Sequence, residues 1–366
     1  MSKDCTIQDV FHRFYSSFES THDISPAQRK AAYHIMNCKT GAFGVNVSVC
    51  EDCGCISVHY NSCRDRCCPM CQEFPKEKWV DARREDILDA PYFHVVFTVP
   101  EELNPIIYSN QKFLYTALYH AASDTLSELA ADSKYLGTDI GYICILHTWG
   151  STMNFHPHIH AIVLGGGLDV KNHWKDNGKD FFLPIKVISK TFRGKYMAEL
   201  KQLWENDRLE FHGSAAPYKN YYTFKELLNI CYAKEWIPYC KKPFDGAESV
   251  IRYLGKYTHR IAISNYRIKG MTESIRRFLM HVPPKRFVRI RHYGLLSSRN
   301  KKKKITMCRN ILGCKKYISK LKDMDAPAII HLLYNKDICK CSSCGGKIIP
   351  LPTEQHFIKP KPHMLC

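Results

Sequence analysis

Two hydrophobic periods alternate along the middle of this chain. Phe93–Val99 is a β-branched and aromatic run stopped by Pro100, so it predicts a strand. Phe113, Leu114, Ala117, Leu118, Ala121, Leu126 and Leu129 recur at helical spacing and predict a long amphipathic helix. Ile140–Trp149 and His156–Leu164 read as two strands joined by the polar turn Gly150–Phe155, and Phe182–Ile188 as a further short strand. Ser189 is placed to cap a helix with the apolar face Phe192, Tyr196, Leu200 and Leu203. Thr223 followed by Glu226 has the spacing of a capping box. Ala247–Tyr257 predicts another helix, and Arg260–Ile268 a last strand. Helices mixed with strand pairs imply an α+β domain, a sheet covered by helices.

Three segments follow from these shifts in pattern. Residues 1–84 hold a helical lead-in and a cysteine cluster, residues 85–270 the mixed domain, and residues 271–366 a basic region ending in a second small cysteine cluster. Lys and Arg outnumber Asp and Glu by 53 to 35, a formal charge of +18, which favours a polyanionic partner. No stretch has the length of a transmembrane helix, and Met1–Val10 lacks an apolar signal core, so the expectation is a cytoplasmic protein with no membrane partner. In a reducing compartment the 18 cysteines are better read as metal ligands than as disulfides.

The cysteines come as knuckles. Cys50 and Cys53 form one CxxC, and Cys68 and Cys71 another, a set that can supply four thiolates to one structural Zn2+. The competing reading, buried free thiols, does not account for paired spacing. Cys38, Cys63 and Cys67 are candidates for a second site, and Cys341 and Cys344 for a C-terminal one whose partners must come from elsewhere, Cys308 and Cys314 being candidates. Arg64 and Arg66 lie inside the first cluster, either as phosphate contacts or as a solvated rim.

The most informative segment is His156–Pro157–His158–Ile159–His160. His158 and His160 are two apart on a strand, so both imidazoles project to one face while Ile159 points to the other. Such a pair can chelate a divalent cation. If the Gly150–Phe155 turn is centred between Thr152 and Met153, His147 lies opposite His158 and is the first choice for a third ligand. His156, on the same face, is the alternative, and a one-residue slip would remove His147.

Tyr253 and Tyr257 are four apart on a predicted helix, which puts both phenols on one face. A tyrosine can attack a phosphodiester and hold it covalently, though a phenol of pKa ~10 needs help from a base or from cations such as Lys256 and Arg260. With 21 tyrosines in the chain, such a pair alone is equally explained by packing on the sheet. Histidine strand and tyrosine pair together resemble the HUH (His-hydrophobic-His) superfamily of single-strand DNA endonucleases. More narrowly, the sequence is similar to the rolling-circle transposases of the insertion-sequence-91 family. The likeness is carried by Cys63–Arg66 with Cys68–Cys71, Phe93–Pro100, Leu146–Trp149, His156–His160, Phe244–Ile268 and Val288–Gly294. One departure is Cys67, where relatives usually carry histidine before the CPxC knuckle; cysteine can serve zinc in its place.

The resemblance implies an HUH-type antiparallel sheet flanked by helices, an N-terminal zinc-binding domain, and single-stranded DNA at transposon ends as substrate. It implies nucleophilic roles for Tyr253 and Tyr257, a 5′-phosphotyrosine intermediate, and Mg2+ or Mn2+ held by His158, His160 and a third ligand. Imidazole ligands favour Mn2+ of the two. Arg289, Arg291, Arg299 and Lys301–Lys304 form a basic stretch read as phosphate contact or as a solvated tail. Nucleoid association and a homodimer are further expectations. Two rivals stand beside this reading. A rolling-circle replication initiator or relaxase would share the chemistry. A non-catalytic zinc-dependent DNA-binding protein would explain charge and cysteines but leave the histidines and tyrosines unused.

Overall fold

The computed structural model describes residues 6–150, 153–176, 178, 183–236, 238–241, 244, 246–257 and 271–351, without the side chains of residues 241, 256, 257 and 271–273. The helices are α1 (Ile7–Thr21), α2 (Pro26–Asn37), α3 (Glu73–Arg84), α4 (Asn104–Ser109), α5 (Gln111–Ala131), α6 (Ile185–Glu205), α7 (Tyr221–Ala233), α8 (Gly246–Tyr257), α9 (Met271–Leu279), α10 (Lys301–Leu312) and α11 (Ala326–Tyr334). The strands are β1 (Val45–Cys50), β2 (Ile56–Tyr60), β3 (Tyr92–Thr98), β4 (Asp139–Trp149), β5 (Phe155–Leu168), β6 (Trp174–Asp176), β7 (Tyr239–Lys241), β8 (Ile290–Gly294) and β9 (Ile348–Pro350). The chain divides into two compact units, one of residues 1–82, 263–279 and 319–366, the other of 83–262 and 280–318. The basic C-terminal stretch is thus shared between them.

In the first unit, α1 and α2 both start with capping boxes: Thr6 with Asp9 and Ser25 with Gln28 satisfy the backbone donors that a helix start leaves open. The buried face of α1 includes Phe11, whose ring meets Phe278 of α9 edge-on at 5.5 Å. A three-stranded antiparallel sheet, ordered β2-β1-β9, joins residues from near both ends of the chain.

The second unit is built on an antiparallel sheet ordered β7-β3-β5-β4-β8, with β6 on β5. Strand alternation gives its two faces different chemistry. Phe93, Val95 and Phe97 of β3, Tyr142, Cys144 and Leu146 of β4, and Ile159, Ala161 and Val163 of β5 point into the main core with α5 and α6. The alternate positions His94, His147, His158 and His160 occupy the other face. The α+β class with antiparallel sheets and flanking helices is therefore the one the patterning implied.

Local differences have local causes. Residues 185–188, expected in a strand, open helix α6 after Pro184, because Ile188, Phe192 and Tyr196 continue one buried face at four-residue spacing. Ser189 is accordingly not a cap; it is buried inside the helix and its hydroxyl donates to the Trp236 carbonyl. Helix α7 starts three residues earlier than the expected box, capped by Asn220 in place of Thr223, the Asn220 side chain accepting from the Tyr222 and Thr223 amides. The expected strand Arg260–Ile268 lies outside the described residues. Among the described residues, no helix is long and apolar enough to cross a membrane.

Candidate functional site

The observed register pairs His147 of β4 with His158 of β5, the expected pairing, although it shifts by one residue between His147 and Trp149, which pairs with Phe155. On the other side of β5, Val96 of β3 faces His160 and Thr98 faces His158. The register therefore collects His147 and His158, both buried, and the half-buried His160, with one ring nitrogen of each within 4.8 Å of the others. His156 is not in this group. Its carbonyl oxygen instead accepts a 2.7 Å hydrogen bond from His158 Nδ1.

That bond settles how His158 is used. With Nδ1 carrying the hydrogen, the neutral ring keeps its lone pair on Nε2. Burial holds His158 in the neutral form, pushing its pKa down to about 4. Its Nε2 lies 3.0 Å from His160 Nε2. Two ring nitrogens that close share either a proton or a cation. His147, stacked on Trp149 with ring centroids 4.8 Å apart, adds a third nitrogen. Three imidazoles at this spacing, one fixed through a carbonyl in the manner of metal-ligating histidines, fit a divalent transition cation.

Helix α8 brings the phenol to this face. Val250, Ile251 and Leu254 are buried along one side of the helix. The Tyr253 hydroxyl lies 2.8 Å from His160 Nδ1 and 2.7 Å from His94 Nε2, and these two nitrogens are 2.8 Å from each other. The Phe244 ring packs edge-on to Tyr253 at 5.3 Å. His94, buried in β3, escaped the sequence reading. The available signal was parity: His94 is two residues before Val96, the neighbour of His160, and so shares its face.

The other expected residues fall as follows. The Tyr257 and Lys256 side chains and all of Arg260 lie outside the described residues. The Arg291 guanidinium stacks 4.1 Å above the Tyr119 ring and also covers Phe287, so it is engaged in packing. Arg289 is half-buried, and its carbonyl accepts from the Leu146 amide and the Tyr119 hydroxyl. Lys301 and Lys304, read as a phosphate-contacting run, stand in the first turn of α10 and pair with Asp86 and Asp139. These acids offset the cost of cations at a helix start. Arg64 is exposed in a left-handed backbone conformation, and Arg66 is half-buried.

The cysteine sets require a correction. Cys50, Cys53, Cys68 and Cys71 do not form one site. Cys68 and Cys71 gather with Cys38 and Cys63, whereas Cys50 and Cys53 gather with Cys341 and Cys344. The reason is the β1–β2 hairpin. Cys50 and Cys53 sit at its turn, while Cys38 and Cys63 flank its open end, and a six-residue strand separates the two ends by roughly 17 Å. Cys67 is buried outside both sets, its amide donating to Asp65. Cys308 is buried in the second unit and Cys314 accepts from the Asp89 amide, so neither joins Cys341 and Cys344.

A histidine face beneath a tyrosine helix in one unit, and cysteine knuckles suited to zinc in the other, are the features of a DNA-processing enzyme with a zinc-binding module. Comparison with known proteins makes this specific. The "Putative transposase" family model matches residues 141–275 and 270–304, and the "Transposase zinc-binding domain" model matches residues 10–99. Over 334 residues the chain is 38% identical to the "Putative transposase y4qJ" of Sinorhizobium fredii, covering 84% of each. It is 25% identical over 357 residues to the transposase for insertion sequence element IS801 of Pseudomonas savastanoi pv. phaseolicola, covering 86% of this chain and 81% of that one. No solved structure gives a significant match. The chain belongs to the transposases of the insertion-sequence-91 type, with DNA as its partner and Zn2+ as the metal of its N-terminal zinc-binding domain.

Proposed function

We propose that this transposase nicks and rejoins single-stranded DNA at transposon ends through a covalent 5′-phosphotyrosine, with Tyr253 as the nucleophile. The observation that carries the reading is the Tyr253 hydroxyl within 2.8 Å of both His94 Nε2 and His160 Nδ1, on the sheet face where His147 and His158 gather. His147, His158 and His160 would hold Mg2+ or Mn2+, which when bound supplies Lewis-acid polarisation of the scissile phosphate. The three-imidazole set favours Mn2+ of the two.

The residues divide the work as follows. His160 Nδ1 carries its hydrogen when Nε2 is a ligand, and donates it to the phenol oxygen. The phenol in turn donates to His94 Nε2. As the oxygen of Tyr253 bonds to phosphorus, its proton moves to His94 Nε2. The bond from phosphorus to the 3′ oxygen breaks, and that oxygen leaves as a hydroxyl after taking a proton from water. Attack by another 3′-hydroxyl on the phosphotyrosine reverses these steps and reseals a strand. The phosphotyrosine conserves the phosphodiester energy, so no nucleotide cofactor is required. Tyr257, one turn further along α8, serves as the second nucleophile for the other strand.

The test is a denaturing gel of the protein with labelled single-stranded DNA from the element's own end, run with Mn2+ and with EDTA. A metal-dependent, protein-linked label that Tyr253→Phe abolishes supports the reading, and Tyr257→Phe reports the second step. With DNA binding intact, absence of any adduct would refute it in favour of a non-catalytic DNA-binding protein.

A further inference from the structure

The zinc-binding family model ends at residue 99, so it takes in only half of the second cysteine set. The other half, Cys341 and Cys344, lies in the C-terminal stretch. The two halves have the same local design. Cys50-Glu51-Asp52-Cys53-Gly54 and Cys341-Ser342-Ser343-Cys344-Gly345 are both CxxCG, and both glycines have the positive φ of a tight turn, +70° and +78°. In both, the glycine amide donates to the carbonyl of the first cysteine, Gly54 to Cys50 at 3.0 Å and Gly345 to Cys341 at 2.9 Å. The Ser343 and Gly346 amides also point at the Cys341 and Cys344 sulfurs, at 3.4 Å each, as the amides of a thiolate knuckle do.

The knuckles face each other. Cys50 Sγ lies 3.4 Å from Cys344 Sγ, and Cys53 Sγ lies 3.7 Å from Cys341 Sγ. All four sulfurs fall within 4.8 Å of one another, the spacing of a tetrahedral four-thiolate site. Each knuckle is held by a strand pair: β1 with β2 for the first, and the Lys340–Lys347 bridge leading into β9 for the second. β9 itself pairs with β1, through Ser48 with Pro350, Val49 with Ile349 and Cys50 with Ile348.

We propose that Cys50, Cys53, Cys341 and Cys344 bind a second structural Zn2+, independent of the one at Cys38, Cys63, Cys68 and Cys71. This ion closes a zinc ribbon whose halves are 288 and more residues apart in sequence. The C-terminal stretch is then a constituent of the zinc module. Its order depends on the metal, because three short strands and two turns bury too little apolar surface to persist alone. The proposal does not depend on the tyrosine chemistry.

Zinc content of the full chain tests it, in a His158→Ala/His160→Ala background so that the histidine site contributes no metal. We expect two Zn2+ per chain. Cys50→Ser/Cys53→Ser and Cys341→Ser/Cys344→Ser should each lose one, and the quadruple variant should also lose only one, because all four cysteines share an ion. Loss of two in the quadruple variant, or of none in Cys341→Ser/Cys344→Ser, overturns the proposal. A second measurement needs no cysteine variant. In the same background, a maleimide should label the exposed Cys55 and Cys339 at once, but spare the equally exposed Cys53 and Cys344 until zinc is chelated. Immediate labelling of Cys53 and Cys344 in the zinc-loaded chain would also overturn it.

Discussion

Replacing His94 separates positioning from proton transfer at the proposed nucleophile. Two ring nitrogens lie within 2.8 Å of the Tyr253 oxygen. His160 Nδ1 bears a hydrogen whenever Nε2 binds metal, so it donates to the phenol. Of the two, His94 Nε2 is then the acceptor, at 2.7 Å. A positioned general base is worth about 10²–10⁴ in rate, or about 2.7–5.5 kcal/mol of barrier. His94→Gln keeps a hydrogen-bond acceptor of similar reach but takes up no proton, so adduct formation should slow about 10²-fold. His94→Ala loses the acceptor as well and should slow about 10³-fold. The substitution's effect on stability, of order 1 kcal/mol, leaves most molecules folded and cannot mimic a rate loss of that size. The assay is single-turnover formation of the protein-linked label with enzyme in excess and Mn2+ saturating, alongside DNA affinity and the Mn2+ midpoint. A His94→Gln rate within about threefold of the unmodified protein would refute the assignment of His94 as base.

Three other predictions concern the sheet. His147→Ala should weaken Mn2+ binding by about tenfold or more, read as a shifted metal midpoint in the adduct assay, whereas His156→Ala should shift it much less because the backbone carbonyl at 156 holds His158. His281 is buried between the Thr148 hydroxyl and the Met153 carbonyl, and burial pushes its pKa down to about 4. The unfolded chain therefore binds the extra proton first, and stability should fall as pH drops from 6.5 towards 4, by a few kcal/mol. Denaturant titrations of the metal-free protein should show that slope, and His281→Asn should lessen it, the part that remains coming from His158 and His292, which burial also pushes down to about 4. Gly294, at the end of β8, has φ +56°, and a Cβ there would overlap the Ile140 carbonyl oxygen across the β4–β8 pair. Gly294→Ala should cost about 1–3 kcal/mol, measured by chemical denaturation.

The candidate site was largely readable from periodicity. Alternation on β5 put His158 and His160 on one face, and the assumed turn centre placed His147 opposite His158; the pairing is the observed one, although a one-residue register shift between His147 and Trp149, which no sequence pattern announced, lies between it and the turn. Helical spacing in α8 put Tyr253 and Tyr257 on one helix face, but only the structure brings Tyr253 against the histidine face of the sheet. His94 was not readable. A single histidine in an apolar run looks like a core residue, and its partners are 66 and 159 residues away.

By itself the sequence determined the α+β class, the strand pair with its histidine face, the tyrosine helix and the presence of CxxC knuckles. These rest on short-range rules of period two, period 3.6 and the ligand spacing of one turn. The tertiary structure alone decided which knuckles share an ion. Cys53 and Cys68 are 15 residues apart yet belong to different sites, because a hairpin separates them, while Cys53 and Cys341 share one because β1 pairs with β9. It also turned Arg291 into a packing residue over Tyr119, and Lys301 and Lys304 into partners of Asp86 and Asp139. Charge and ligand type are local properties, but the neighbour that completes them is chosen by long-range strand pairing, which no local pattern encodes.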